Sequence, residues 1–125
     1  MLLAWWQDFV DRWASKTFPE HTHQGIALHL VREATELALA CGLEECHIQE
    51  SVKLSVEKHP AVSRTLASIM GETADVTILA LAMAGYIHLQ LEDYVAAKMS
   101  RNIQRKWGEP DAQGVAEHEG EPDPV

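Results

Sequence analysis

The sequence predicts an all-α domain built as a bundle of four main helices, and three observations carry that expectation. Strand signals are scarce. Nearly every long segment instead repeats its apolar residues at helical spacing. The chain has 125 residues, 46% hydrophobic and 23% charged, which is the size and composition of one globular domain able to bury a core without disulfide or metal staples.

The first helix is expected from about Leu2 to Ser15, with Leu3, Trp6, Phe9, Val10 and Trp13 forming one apolar stripe, and Phe18-Pro19 ends it. Thr22 is placed to cap a second helix that reaches about Cys41, where Gly42 supplies a stop. Leu43 to Pro60 is more polar and mixed, and Pro60 bars a continuous helix, so this stretch reads as a connection with a short helix inside it. A third helix is expected over Ala61 to Ala84, from Leu66, Ile69, Met70, Thr73, Val76, Thr77 and Ala80. Its second half is apolar on nearly all sides, which predicts a place in the middle of the bundle. The last helix is expected from Leu89 to Trp107, with Leu91, Tyr94, Val95, Met99 and Ile103 on one face, ended by Gly108 and Pro110. Residues 1–108 form the predicted domain and residues 109–125 a tail rich in Pro, Gly and acid, partly disordered in its last few residues.

Composition narrows the function. The longest apolar stretch, Val76 to Gly85, is broken by Thr77 and is shorter than the ~18 residues of a spanning segment, so no membrane is expected. The N-terminus lacks a basic region before its apolar run, which predicts a cytoplasmic protein. Cys41 and Cys46 then read as free thiols, and two thiols alone are too few for a structural zinc site. With 19 acidic against 10 basic residues the formal net charge is −9, which disfavours a nucleic-acid polymer as partner. Lys98, Arg101, Arg105 and Lys106 nevertheless cluster within nine positions, which suits a small anionic ligand.

Two acidic pairs carry the chemistry. Glu33 and Glu36 lie three residues apart on the second helix, and Glu72 and Asp75 three apart on the third. Side chains at i and i+3 share a side of a helix, so two such helices packed together would make a four-carboxylate site. Converging carboxylates repel, and a hard divalent cation with oxygen ligands, Mg²⁺ or Mn²⁺, is the usual remedy. Against this stands a solvated acidic face, the common origin of an isolated pair. Both pairs adjoin apolar segments, and carboxylates near a core normally have partners. Lys98, Asn102 and Arg105 follow at i, i+4 and i+7 on the last helix, flanked by Arg101 and Lys106, a set of donors suited to successive phosphate oxygens. The helix macrodipole alone also favours cations there. His21, His29 and Trp13 are weaker candidates for contact with a base. Glu20 with His23 and Glu44 with His47 match the spacing of helical di-iron ligands but fall at helix boundaries.

ExxE at Glu33–Glu36 followed by ExxD at Glu72–Asp75 resembles the MazG-like, all-α nucleoside triphosphate pyrophosphatase superfamily. The stretches FPEHTHQGIALHLVREATEL and KMSRNIQRKWGEPDAQGVAEH resemble its dATP/dGTP diphosphohydrolase branch, the MazZ-like enzymes. The resemblance implies a MazG-like helical bundle assembling into dimers or tetramers. By that resemblance Glu33, Glu36, Glu72 and Asp75 hold Mg²⁺ or Mn²⁺, while Lys98, Asn102 and Arg105 contact phosphates. It implies hydrolysis of a nucleoside triphosphate, a purine deoxynucleotide with dGTP first, to the monophosphate and pyrophosphate. In phages that replace adenine by 2-aminoadenine, the branch is associated with supplying dGMP, and the host cytoplasm would be the site of action. Glu36, with Glu33 beside it, is the candidate general base for the attacking water. One departure is the connection: 35 residues lie between Glu36 and Glu72, longer than usual in the superfamily, with an insertion at about 43–64. Two other readings compete: a housecleaning pyrophosphatase for dCTP, dUTP or damaged nucleotides, and a non-catalytic helical interaction module.

Overall fold

A computed structural model describes residues 2–59 and 64–120. Their order is α1 (Leu2–Thr17), α2 (His23–Ala40), α3 (Glu45–Lys58), α4 (Leu66–Tyr86) and α5 (Leu91–Gln104). No strand occurs among the described residues; the one extended pairing is an isolated bridge between Trp107 and His118. The chain divides into two compact units, one running to Ile48 and resuming at Ile103, the other covering Gln49–Asn102.

In the first unit, α1 carries its aromatic residues along one side. Trp5 stacks on Phe9 with centroids 5.2 Å apart, and Trp6 meets both rings edge-on. Beyond Thr17 the chain turns, with the Phe18 carbonyl accepting from the His21 N–H at 3.0 Å. Thr22 then caps α2, its hydroxyl accepting from the Gly25 N–H at 3.1 Å. The far end of α2 closes as a Schellman turn: Gly42 N–H donates to Leu39 and Leu43 N–H to Ala38, and Gly42 supplies the left-handed φ of 89°.

The segment after α5 returns to this unit. Gly108 N–H donates to the Glu117 carbonyl at 2.9 Å and Glu119 N–H to that of Lys106 at 2.8 Å, so the two arms pair. The Asp111 side chain makes the turn between them, accepting from the N–H groups of Gln113 and Val115. Val115, 1% exposed, and Ala116 are buried at its base. Trp107 meets Phe18 at 5.0 Å and Trp13 at 5.8 Å, both edge-to-face, so this segment completes an aromatic cluster begun by α1. Residues 109–120 are thus folded back as a hairpin-like turn, while residues 121–125 lie outside the described residues.

The second unit holds most of α3, all of α4 and α5 to Asn102. Thr65 caps α4 by accepting from the Ser68 N–H at 3.2 Å. His88 ends it in the left-handed region, φ 57°, with Leu89 N–H donating to the Ala84 carbonyl and His88 N–H to that of Gly85. Ala84 and Met99 are buried.

Four expectations need correction. The described residues form five helices, since α3 is a full helix of 14 residues where a connection with a short helix is expected. Its residues favour helix, with Ile48, Val52 and Val56 at i, i+4 and i+8 among polar ones: no proline or glycine interrupts it, Glu45 and Lys58 suit its two ends, and Lys53 and Glu57 pair at i, i+4. It ends two residues before Pro60, whose ring restricts the residue preceding it. The third predicted helix begins at Leu66, after the Thr65 cap; the expectation for 61–63 lies outside the described residues. The last helix is shorter than expected and stops at Gln104, because Trp107 is drawn into the bridge and the aromatic cluster. Finally, α4 does not occupy a buried centre: Leu66, Met70 and Leu79 are 79%, 70% and 69% exposed. By length and composition this 21-residue helix is long and apolar enough to cross a membrane, which counting unbroken apolar residues did not reveal; Glu72 and Asp75 lie within it.

Candidate functional site

The acidic residues of α2 are the part of the predicted site whose electrostatics are defined. Glu33 and Glu36 stand one turn apart, and the charge of Glu33 raises the Glu36 carboxyl above its ordinary value. Desolvation, the Glu33 hydrogen bond and the charge of Glu117 push the same way; His29 opposes them. His29 Nε2 lies 3.4 Å from Glu33 Oε1. The arrangement retains a proton on Glu36 more readily than on a free glutamate, and it rewards a cation that relieves the repulsion.

Beside this pair stands Arg32, whose guanidinium reaches the C-terminal turn. Nη2 lies 2.7 Å from Asp111 Oδ2 and donates to Gln113 Oε1 at 2.7 Å, and Nη1 donates to Glu117 Oε1 at 3.3 Å. The Arg32 hydrogen bond, and the backbone donors of Val115 and Gln113, hold the Asp111 carboxyl below its ordinary value. Sequence reasoning missed Arg32, Asp111, Gln113 and Glu117. Two signals were present: D-x-x-G at Asp111–Gly114 spells a turn, and Val115-Ala116 is an apolar pair in an otherwise polar tail.

The other predicted residues fall as follows. Glu72 and Asp75 occupy successive turns of α4, both exposed, beside threonines whose hydroxyls bond back to the helix, Thr73 to Ile69 and Thr77 to Thr73. They belong to the second unit, and Glu33 and Glu36 to the first. Lys98, Arg101 and Asn102 lie on α5, where Asn102 Nδ2 is 4.0 Å from Met99 Sδ. Arg105 and Lys106 lie beyond its last residue, so the i, i+4, i+7 stripe keeps only Lys98 and Asn102 on the helix. Of the base-contact candidates, Trp13 is engaged by Phe18 and Trp107, His21 Nδ1 bonds to the Phe18 carbonyl, and His29 pairs with Glu33. His47 is likewise occupied: its Nδ1 accepts from the Glu44 N–H at 3.1 Å, capping α3.

Among the described residues no group of three or more His, Cys, Asp or Glu is gathered closely enough to hold a metal ion. The donor chemistry fits a hard cation all the same: each pair offers carboxylate oxygens from one side of a helix, and the α2 pair is repulsive without one. A shallow groove along α1, lined by Trp5, Asp8, Phe9, Arg12, Trp13 and Lys16, contains none of the four carboxylates. No family model, no curated protein and no solved structure matches the chain.

Proposed function

We propose that the chain is a divalent-metal-dependent nucleoside triphosphate diphosphohydrolase, converting a purine deoxynucleoside triphosphate, dGTP first, and water to the monophosphate and pyrophosphate. The observation that carries this is the Glu33–Glu36 pair, where one carboxylate raises the other. Glu33, Glu36, Glu72 and Asp75 would hold Mg²⁺ or Mn²⁺. When bound, the cation supplies charge neutralisation of the triphosphate and an acidified water. Glu36, already disposed to keep a proton, accepts that of the attacking water. Lys98, Arg101, Asn102, Arg105 and Lys106 receive the negative charge that accumulates as pyrophosphate leaves. His21, His29, which lies beside Glu33, and Trp13 are the candidates to contact the base. The reading places the work in the cytoplasm, in a homodimer or homotetramer, because the exposed apolar side of α4 needs a cover and a second copy provides one. Two acidic residues inside α4 make a bilayer the poorer cover.

³¹P NMR of the protein with each dNTP, in Mg²⁺ and in Mn²⁺, tests the reading: monophosphate and pyrophosphate from dGTP support it. Turnover of dCTP or dUTP instead would favour the housecleaning enzyme. The same exposed side of α4 favours a second reading, a helical interaction module without catalysis. That module predicts no turnover, and no rise in melting temperature with Mn²⁺ and nucleotide.

A further inference from the structure

Arg32 and Glu36 are four residues apart on α2, the spacing at which an arginine and a glutamate on one helix ordinarily pair. Here the arginine is committed elsewhere. Its ion-pair partners are Asp111 at 2.7 Å and Glu117 at 3.3 Å, with Gln113 taking a further hydrogen bond. The three acceptors come from one short segment whose backbone is fixed independently. Asp111 is held by the N–H groups of Gln113 and Val115, and Glu117 by Gly108 N–H donating to its carbonyl at 2.9 Å. Val115 and Ala116, buried, anchor the segment between them. A guanidinium satisfied by three acceptors gains little by swinging away to a single exposed carboxylate. The ion pairs of Arg32 thus run to the C-terminal segment and not along α2 to Glu36.

We propose that the C-terminal segment, through Asp111, Gln113 and Glu117, is a positioning device that withholds Arg32 from Glu36 and so keeps the Glu33–Glu36 pair open to a divalent cation. This rests on the metal-binding reading above. Release of the segment lets Arg32 fold onto Glu36, where its charge competes with the cation for the same oxygens. The segment is therefore a latch whose closed state is the cation-competent one.

The test is calorimetric titration with MnCl₂ alone, without nucleotide, on the full chain. Asp111→Asn combined with Glu117→Gln retains the turn's acceptor at position 111 but removes both charges that hold Arg32; its Mn²⁺ affinity falls by about tenfold. Adding Arg32→Gln to that double variant restores affinity to within about twofold of wild type, because the competitor has gone. Arg32→Gln alone leaves affinity within about twofold of wild type, because the arginine is already withheld from Glu36; a gain there as large as the recovery in the triple variant would make the effect one of overall charge and overturn the proposal. Wild-type affinity in the double variant, or no recovery on adding Arg32→Gln, overturns the proposal while wild type and Glu36→Gln still differ in Mn²⁺ binding. If wild type itself binds no Mn²⁺, the metal-binding reading fails first and takes this inference with it.

Discussion

A β-carbon placed on Gly25 would lie 2.7 Å from the carbonyl oxygen of Gly114, so the first turn of α2 and the C-terminal turn meet backbone to backbone. Gly114 has φ of 76°, and its own β-carbon would lie 3.7 Å from the Gly25 Cα. Gly25→Ala must push the turn away, because the opposing atom is backbone and cannot rotate aside. The expected cost is about 1–3 kcal/mol, read as a lower midpoint in urea with unchanged helical circular dichroism. Wild-type stability in that variant would mean the turn does not rest on α2.

Glu36→Gln and Asp75→Asn are both expected to abolish release of pyrophosphate while leaving helix content unchanged. Without metal they should part company in stability. Removing the Glu36 charge relieves its repulsion by Glu33 and stabilises the apo protein by about 0.2–0.5 kcal/mol, the scale of like-charge pairs on a helix. Near-normal turnover in both variants would remove the carboxylate pairs from the chemistry.

Acid should act on the first unit in two opposed steps. Glu36 is raised, so the folded state binds its proton where the unfolded chain has already released one; the associated penalty is present at neutral pH and relieved as pH falls through the folded value. Asp111 is lowered, so its contribution is present above the unfolded value of 3.8 and lost as pH falls through the folded one. Urea midpoints followed by tryptophan fluorescence from about pH 7 to pH 3 should rise slightly before they fall. Glu36→Gln should flatten the rise and Asp111→Asn the fall. A monotonic loss in all three proteins would contradict this.

His88 closes α4 with a φ of 57°, a region that costs a residue with a β-carbon about 1 kcal/mol. His88→Gly removes that cost at the position where Schellman turns favour glycine. Thermal unfolding should shift upward; a lower melting temperature would show that the imidazole makes up the difference.

What was legible in the sequence follows from how each element is held. The stripe of α1, the Thr22 cap and the Gly42 stop of α2 are local devices, written within a few residues of the structure they produce. α3 carries no buried residue, and its stripe of Ile48, Val52 and Val56 is thin among polar and charged neighbours that read as a connection; helix-forming residues and end charges hold it. The C-terminal segment reads as a polar tail because its partners, Arg32 and Gly25, lie far away in the chain. The same holds for the end of α5: nothing near Gln104 announces that Trp107 will leave to join Trp13 and Phe18. For the candidate site, the i, i+3 spacing identified the carboxylates, whereas the partners that tune them come from a distant segment.

The contact between Arg32 and Glu117 spans 85 positions, while residues 49–102 form a unit of their own between them. Chain connectivity predicts an order of folding. The inner unit can condense through neighbouring helices with little loop entropy to overcome, and its condensation shortens the effective tether across which α2 must find its late partner. The slowest step is expected to be the pairing of the last fifth of the molecule with its first third, the contacts of longest sequence separation.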